Sequence, residues 1–191
     1  MRIAIFGGTF DPIHCAHLTV AGEAARACAL DRVLFIPAAH PPHKSGATAA
    51  PYEDRYRMVE LACAQEPLFV PSRLEAGQRT SYSMETIERA QATLQAGDSL
   101  YFLIGADAFA EIGTWYRWHE VVRAVEFIVV TRPGHVYEAP PEARVHRLES
   151  LALDVSSSSI RARLAAGEQP GELPRAVLGY IRAHGLYRRE R

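Results

Sequence analysis

Residues 2–17 read Arg2-Ile3-Ala4-Ile5-Phe6-Gly7-Gly8-Thr9-Phe10-Asp11-Pro12-Ile13-His14-Cys15-Ala16-His17. The first five residues are a short β-prone run that ends at a glycine pair. A helix is expected from about His17 to Ala29. Arg32-Val33-Leu34-Phe35-Ile36 is a second buried-strand pattern, stopped by Pro37. Two such strands with a helix between them make a βαβ unit, which implies a parallel sheet. The same alternation continues outward. Helices are expected over 52–65, 83–95, 118–124, 158–166 and 174–184, and strands over 68–70, 99–104 and 125–131. Residues 38–51 and 133–144 read as loops, and Leu151-Ala152-Leu153 is expected as a last strand. The predicted fold class is α/β: a doubly wound, Rossmann-like parallel sheet with helices on both faces. One domain is expected over 1–187, with a C-terminal helical subregion at about 156–187 and a tail at 188–191.

Composition narrows the function classes. The 191 residues are 48% hydrophobic and 23% charged, as in an ordinary soluble globule. With 21 basic and 22 acidic residues the formal net charge is −1. That balance argues against a partner that is nucleic acid or an anionic membrane surface. No apolar run approaches the ~18–20 residues that span a bilayer, and a cytoplasmic location is expected. Cys15, Cys28 and Cys63 show no paired spacing, so neither a disulfide framework nor a structural zinc site is expected. Of the 21 basic residues only Lys44 is Lys. A compact ammonium facing a phosphate is one explanation; genomic base bias is another. A homo-oligomer is compatible with the sequence.

The chemistry-bearing residues fall into three groups. In a doubly wound sheet, ligands bind beyond the carboxyl ends of the strands. Gly7-Gly8 would let a ligand approach the backbone there, and the following helix would offer free N–H groups and a positive dipole end to an anion. The stretch is neither GxGxxG nor GxxxxGK[ST]. His14 and His17, three apart, can face one ligand as phosphate donors; a structural pair or metal ligands are the alternatives. In the second group, Ser156 to Ser159 open a helix and Arg161 lies one turn in, which is either a capped helix or an anion-binding mouth. In the third, Trp115 or Trp118 could stack on a pyridine ring, or both could be core.

The string from Gly7 to His17, GGTFDPIHCAH, resembles the nucleotidyltransferases with an (H/T)xGH signature. Segments 41–44, 81–83, 105–107, 114–116, 131–134 and 156–161 narrow the resemblance to the nicotinate mononucleotide adenylyltransferases. They follow in order over residues 1–187. The resemblance implies that ATP is bound by Gly7, Gly8, Thr9, Phe10, His14, His17, Gly105, Asp107, Ser157, Ser158, Ile160 and Arg161. It implies that nicotinate mononucleotide is held by Lys44, Ser81, Tyr82, Ser83, Trp115 and Arg132, with Trp115 on the nicotinate and Trp118 structural. The catalytic side chains would be His14, His17, Lys44 and Arg161. Magnesium would arrive carried by ATP, with no protein metal cage. The family signature has Gly where this chain has Ala16, and the added methyl is expected to be tolerated with some backbone adjustment.

The implied reaction is attack by the mononucleotide phosphate on the α-phosphorus of ATP, with pyrophosphate leaving. A phosphate monoester has a second pKa of about 6 and is already anionic at neutral pH, so no protein base is required. The rival readings are a sister enzyme acting on nicotinamide mononucleotide or another phosphate acceptor, a nucleotide-binding module without catalysis, and a metal-dependent hydrolase using Asp11, His14 and His17.

Overall fold

The computed structural model describes residues 1–40, 48–151 and 155–188. Among these, six strands form one sheet: β1 (Arg2–Gly8), β2 (Arg32–Pro37), β3 (Phe69–Pro71), β4 (Ser99–Gly105), β5 (Glu126–Thr131) and β6 (Arg144–Glu149). Their order is β3-β2-β1-β4-β5-β6, and every pairing is parallel. The seven helices are α1 (Cys15–Ala27), α2 (Tyr52–Cys63), α3 (Ser83–Gln91), α4 (Ala106–Ala110), α5 (Trp118–Ala124), α6 (Ser157–Ala165) and α7 (Arg175–Ala183).

Side-chain alternation along the strands sorts the core into two layers. Ala4, Phe6, Val33, Phe35, Leu103 and Val130 face one layer, packed under α1, α2, α6 and α7. Ile5, Ile36, Phe102, Ile104, Phe127 and Val129 face the other, under α3, α4 and α5. Strands buried on both faces are the near-continuous apolar runs read from the sequence. On the second layer, α3 buries Met84, Ile87 and Ala90 along one stripe while leaving Glu88 and Gln91 outside.

The structure corrects three expectations. Among the described residues the last strand is Arg144–Glu149, which begins at the final residue of the expected loop. The expected strand at 151–153 falls largely outside the described residues, as Ala152 and Leu153 do. β6 is an edge strand whose Arg144, His146, Arg147 and Glu149 are exposed, so it lacks the apolar signal of its neighbours. α1 begins at Cys15, two residues before the expected start, because His14 serves as its N-cap without belonging to the usual capping residues. Finally, Gly105 runs directly into α4 and a 3₁₀ turn at Ile112–Thr114, both too short to show a period.

The order of strands reverses direction between β1 and β4. That is the switch point at which an open α/β sheet forms its crevice. Gly7-Gly8 end β1 and Gly105 ends β4, on either side of it.

Phe127 is fully buried, with its ring centroid 5.1 Å from Phe109 and 5.9 Å from Phe102. Phe127→Ala is expected to lower the unfolding free energy by about 3–5 kcal/mol. Urea denaturation checks this, and a loss under 1 kcal/mol would contradict the layer assignment.

Candidate active site

The loop after β1 turns tightly, and its shape is imposed from outside. Phe10 takes a left-handed backbone (φ 48°) and buries its ring 5.7 Å from Phe6 and 5.0 Å from His17. A Cβ at Gly8 would stand 3.0 Å from that ring, a tight contact that the buried Phe10 would have to yield to. The loop carbonyls are then captured one by one. Arg55, fully buried on α2, donates Nη1–H to the Thr9 carbonyl at 2.7 Å. Arg161 on α6 donates Nη1–H to the Asp11 carbonyl at 2.8 Å. The Ser157 hydroxyl donates to the Pro12 carbonyl at 3.0 Å.

The Asp11 carboxylate is equally engaged. It accepts from the Ala49 N–H at 2.7 Å, the Ala50 N–H at 3.1 Å and the Tyr187 hydroxyl at 2.7 Å. Burial and the adjacent carboxylate push the Tyr187 hydroxyl well above its ordinary value, so it stays protonated and donates.

His14 and His17 stack at the mouth of α1, with ring centroids 3.7 Å apart and planes at 28°. His17 sits at the third helical position, and its Nδ1 accepts the His14 N–H at 3.3 Å. This is the reaching-back half of a capping box, made with an imidazole instead of a carboxylate. Because Nδ1 accepts, the proton of neutral His17 belongs on Nε2, which makes that atom a donor. Nδ1 of His14 is buried without a partner among the described residues. Burial pulls the His14 pKa down to about 4, with Glu172 opposing the shift. It pulls His17 well down too, reinforced by His14. Both rings are therefore neutral donors at pH 7.

Three cavities open along the strand ends. The largest, about 570 Å³, is lined by Gly7, Gly8 and Thr9, by Ser81-Tyr82-Ser83 at the start of α3, and by Trp115 and Tyr116. Tyr82 and Tyr116 pack with centroids 4.7 Å apart, and Trp115 rests 6.1 Å from Phe102. The second, about 410 Å³, is lined by His14, Ala16, His17, Ser156, Ser157, Ser158 and Arg161. Phe6, Ile104 and Gly105 are common walls of these two. The third, about 360 Å³, holds Asp107 and Arg132 and meets the second at Gly105 and Val130.

At the mouth of α6 the Ser156 hydroxyl caps Ser159 N–H at 3.1 Å. The N–H groups of Ser157 and Ser158 have no carbonyl within their own helix. Arg161 Nη2 lies 3.3 Å from the Ser158 hydroxyl. An anion in this cavity would meet helix N–H groups, a guanidinium and two imidazole donors together.

Most sequence-expected site residues thus line one continuous crevice, but two do not. Phe10 lies beneath Gly8 as a core ring. Ile160 is buried in the layer under α7, and its N–H is taken by the Ser156 carbonyl at 3.1 Å. Lys44 falls outside the described residues. Trp118 packs with the second layer and stacks on His119, away from the crevice walls. Ala16 keeps α1 regular, with its methyl in the wall of the second cavity. Sequence reasoning missed Glu75, a buried carboxylate in the wall of the largest cavity. It accepts from Thr86 at 2.6 Å and from the Ala39 N–H at 3.4 Å. It also missed Arg55, whose only signal was its place on an otherwise apolar helix face.

Comparison with known proteins places this geometry. A cytidylyltransferase-like family model matches residues 5–163. A protein of Solibacter usitatus named "probable nicotinate-nucleotide adenylyltransferase" is 63% identical over 187 residues, covering 98% of this chain and all of the relative. A Thermus thermophilus protein of the same name is 43% identical over 190 residues, with 98% and 100% covered. The Plasmodium falciparum nicotinic acid mononucleotide adenylyltransferase complexed with NaAD superposes with TM-score 0.80 at 19% identity, covering 97% of both chains, and so shares the fold.

The depressed histidines set a pH dependence. His14 titrates near 6.5 when unfolded and near 4 when folded, so its contribution to stability is complete above pH 6.5 and is lost as pH falls toward 4. Between pH 7 and 4.5 the native protein is expected to lose about 2 kcal/mol more unfolding free energy than His14→Gln. Parallel urea titrations at the two pH values read this difference, and equal slopes would refute the assignment.

Proposed function

Because the chain belongs to the nicotinate-nucleotide adenylyltransferases, we propose that the crevice divides its two substrates along the line of Gly105. The protein transfers the adenylyl group of ATP to nicotinate mononucleotide, giving deamido-NAD and pyrophosphate in NAD biosynthesis. In this reading the ATP phosphates occupy the cavity of His14, His17, Ser157, Ser158 and Arg161, and Gly105 and Asp107 meet the ribose and base. The mononucleotide enters the larger cavity, with its pyridine ring against Trp115 and its carboxylate toward Ser81, Tyr82 and Ser83. Gly7, Gly8 and Thr9 border both substrates. Arg132, with Lys44, takes phosphate charge. The enzyme works in the cytoplasm, and residues 1–187 act as one unit.

The observation that carries this reading is the stacked, neutral His14–His17 pair sharing one cavity with Arg161 and the mouth of α6. Magnesium enters as part of the substrate, MgATP, held by phosphate oxygens and water and screening their charge. The chain's own task is alignment and stabilisation of developing charge. The nucleophile comes already deprotonated, so an imidazole that takes no proton at pH 7 is suited to the work. His17 Nε2–H donates to a non-bridging oxygen of the transferring phosphate, and the bond strengthens as charge accumulates. Arg161, fixed on the Asp11 carbonyl, receives the departing pyrophosphate.

Two measurements test this. His17→Ala is expected to slow pyrophosphate release by about 10²–10³-fold, and an unchanged rate would refute the role. With MgATP saturating, kcat/KM for nicotinate mononucleotide is expected to exceed that for nicotinamide mononucleotide by at least about 10²-fold. The Ser81–Ser83 donors facing the amide would lose their charged partner. Equal values would move the activity to a sister enzyme.

A further inference from the structure

The segment after α7 does something that a solvated end of a helix does not. At the C-terminus of α7 the Leu186 N–H reaches the Ile181 carbonyl at 3.0 Å and the Gly185 N–H reaches the Arg182 carbonyl at 3.3 Å, with Gly185 left-handed at φ 64°. These paired bonds are a Schellman cap, which reverses the chain. Tyr187 follows, itself left-handed at φ 60°, a conformation uncommon for a bulky side chain. Such a backbone persists where its surroundings over-determine it. Those surroundings are the hydrogen bond from the Tyr187 hydroxyl to Asp11 Oδ1 at 2.7 Å, across 176 positions of sequence. α7 is held for this reach by Val177 and Ile181 in the core and by Tyr180 donating to Asp54 on α2 at 2.7 Å.

We propose that Tyr187 is a positioning residue for adenylyl transfer: by binding the Asp11 carboxylate it holds the Asp11 backbone where its carbonyl aims the Arg161 guanidinium. The chain of contact is short. Tyr187 and the Ala50 N–H bind Oδ1, the Ala49 N–H binds Oδ2, and the carbonyl of the same residue receives Arg161 Nη1. Removing the hydroxyl leaves Asp11 Oδ1 with the 3.1 Å bond from Ala50 as its remaining partner among the described residues. The carboxylate is then held by the Ala49 and Ala50 N–H groups alone, and one restraint on the Asp11 backbone is lost. Tyr187 lines none of the three crevice cavities, so it acts on catalysis through its neighbours: its hydrogen bond goes to Asp11, and Arg161 and Arg55 lie close enough to interact with it electrostatically.

The inference rests on the reading of Arg161 given above, and a double-mutant cycle separates the two. Tyr187→Phe, Arg161→Ala and the double variant are assayed for pyrophosphate release with each substrate varied, and melting temperatures are taken alongside. Tyr187→Phe is expected to lower kcat/KM for MgATP about 3- to 10-fold, the effect of one hydrogen bond, while KM for nicotinate mononucleotide stays within twofold. In the Arg161→Ala background the same hydroxyl deletion is expected to cost nothing further, because coupled residues are non-additive. A normal kcat/KM for MgATP in Tyr187→Phe, or an undiminished loss in the Arg161→Ala background, overturns the positioning role alone. A normal Arg161→Ala enzyme overturns the pyrophosphate role of Arg161 and this inference together. A lowered melting temperature with unaltered kinetics in Tyr187→Phe marks a purely structural contact and also overturns it.

Discussion

The arrangement turns on the hydrogen-bonding needs of residues Thr9 to Pro12, of which Phe10, Asp11 and Pro12 are buried. A parallel strand can present a ligand-binding loop only if that loop leaves the sheet sharply, and leaving it strips the backbone of ladder partners. Here three of the four carbonyls are met by side chains from elsewhere: Arg55 takes the Thr9 carbonyl, Arg161 the Asp11 carbonyl and Ser157 the Pro12 carbonyl. Each of those donors lies on a helix of the same sheet face, so the layer under α1, α2, α6 and α7 must be assembled before the loop has its shape. Folding and site construction are therefore one event on this face. The opposite layer supplies the walls of the larger cavity and can be described almost independently.

The same economy appears in the histidine pair. Both imidazoles are discharged by desolvation, and His17 is pushed further down by His14. A neutral ring is a weaker anion binder than a cation in the ground state. It also makes no strong fixed demand on an incoming substrate, and its donated hydrogen bond gains as negative charge accumulates. The standing positive charge is left to Arg161, which is half-buried and held at fixed geometry by Asp11 and Ser158. Recognition of charge and response to developing charge are thus assigned to different chemical groups within one cavity.

The parallel α/β class and most helices were legible because apolar periodicity is strong where both sheet faces are covered, whereas the strand order came from the structure. β6 was not, since an exposed edge strand is written in charges that read as loop. The start of α1 was misjudged by two residues because His14 caps it through backbone geometry and the reach of His17, which propensity does not encode. Within the crevice, the glycines, histidines, serines and Arg161 announced themselves by clustering around short punctuated segments. Arg55, Glu75 and Tyr187 did not. Each acts through contacts made at a distance in sequence, and nothing local to Tyr187 marks Asp11 as its partner. Phe10 and Ile160 show the converse: their neighbours face the crevice while alternation turns these two side chains into the core. Neighbourhood in sequence is a fair guide to a loop and a poor one to which side of it a residue occupies.

The three crevice glycines separate two reasons for the same residue. Gly8 is favoured by the protein's own packing, because a methyl group there would press on the Phe10 ring at 3.0 Å. Gly7 and Gly105 are not: a Cβ at either would meet nothing within 4 Å, and neither has the left-handed backbone that excludes side chains. Alanine at those two positions would fit the protein as it stands, and strand positions ordinarily disfavour glycine for its entropy. Both line the cavities at the junction of β1 and β4, where a side chain would occupy volume otherwise open to a ligand. Space left by the fold at a cost, on both sides of the switch point, fits the proposed reaction, in which the α-phosphate of ATP moving toward an acceptor phosphate would need an unobstructed backbone floor. In that proposal the glycines would border the line of transfer more closely than the charged residues, whose long side chains would reach it from a distance.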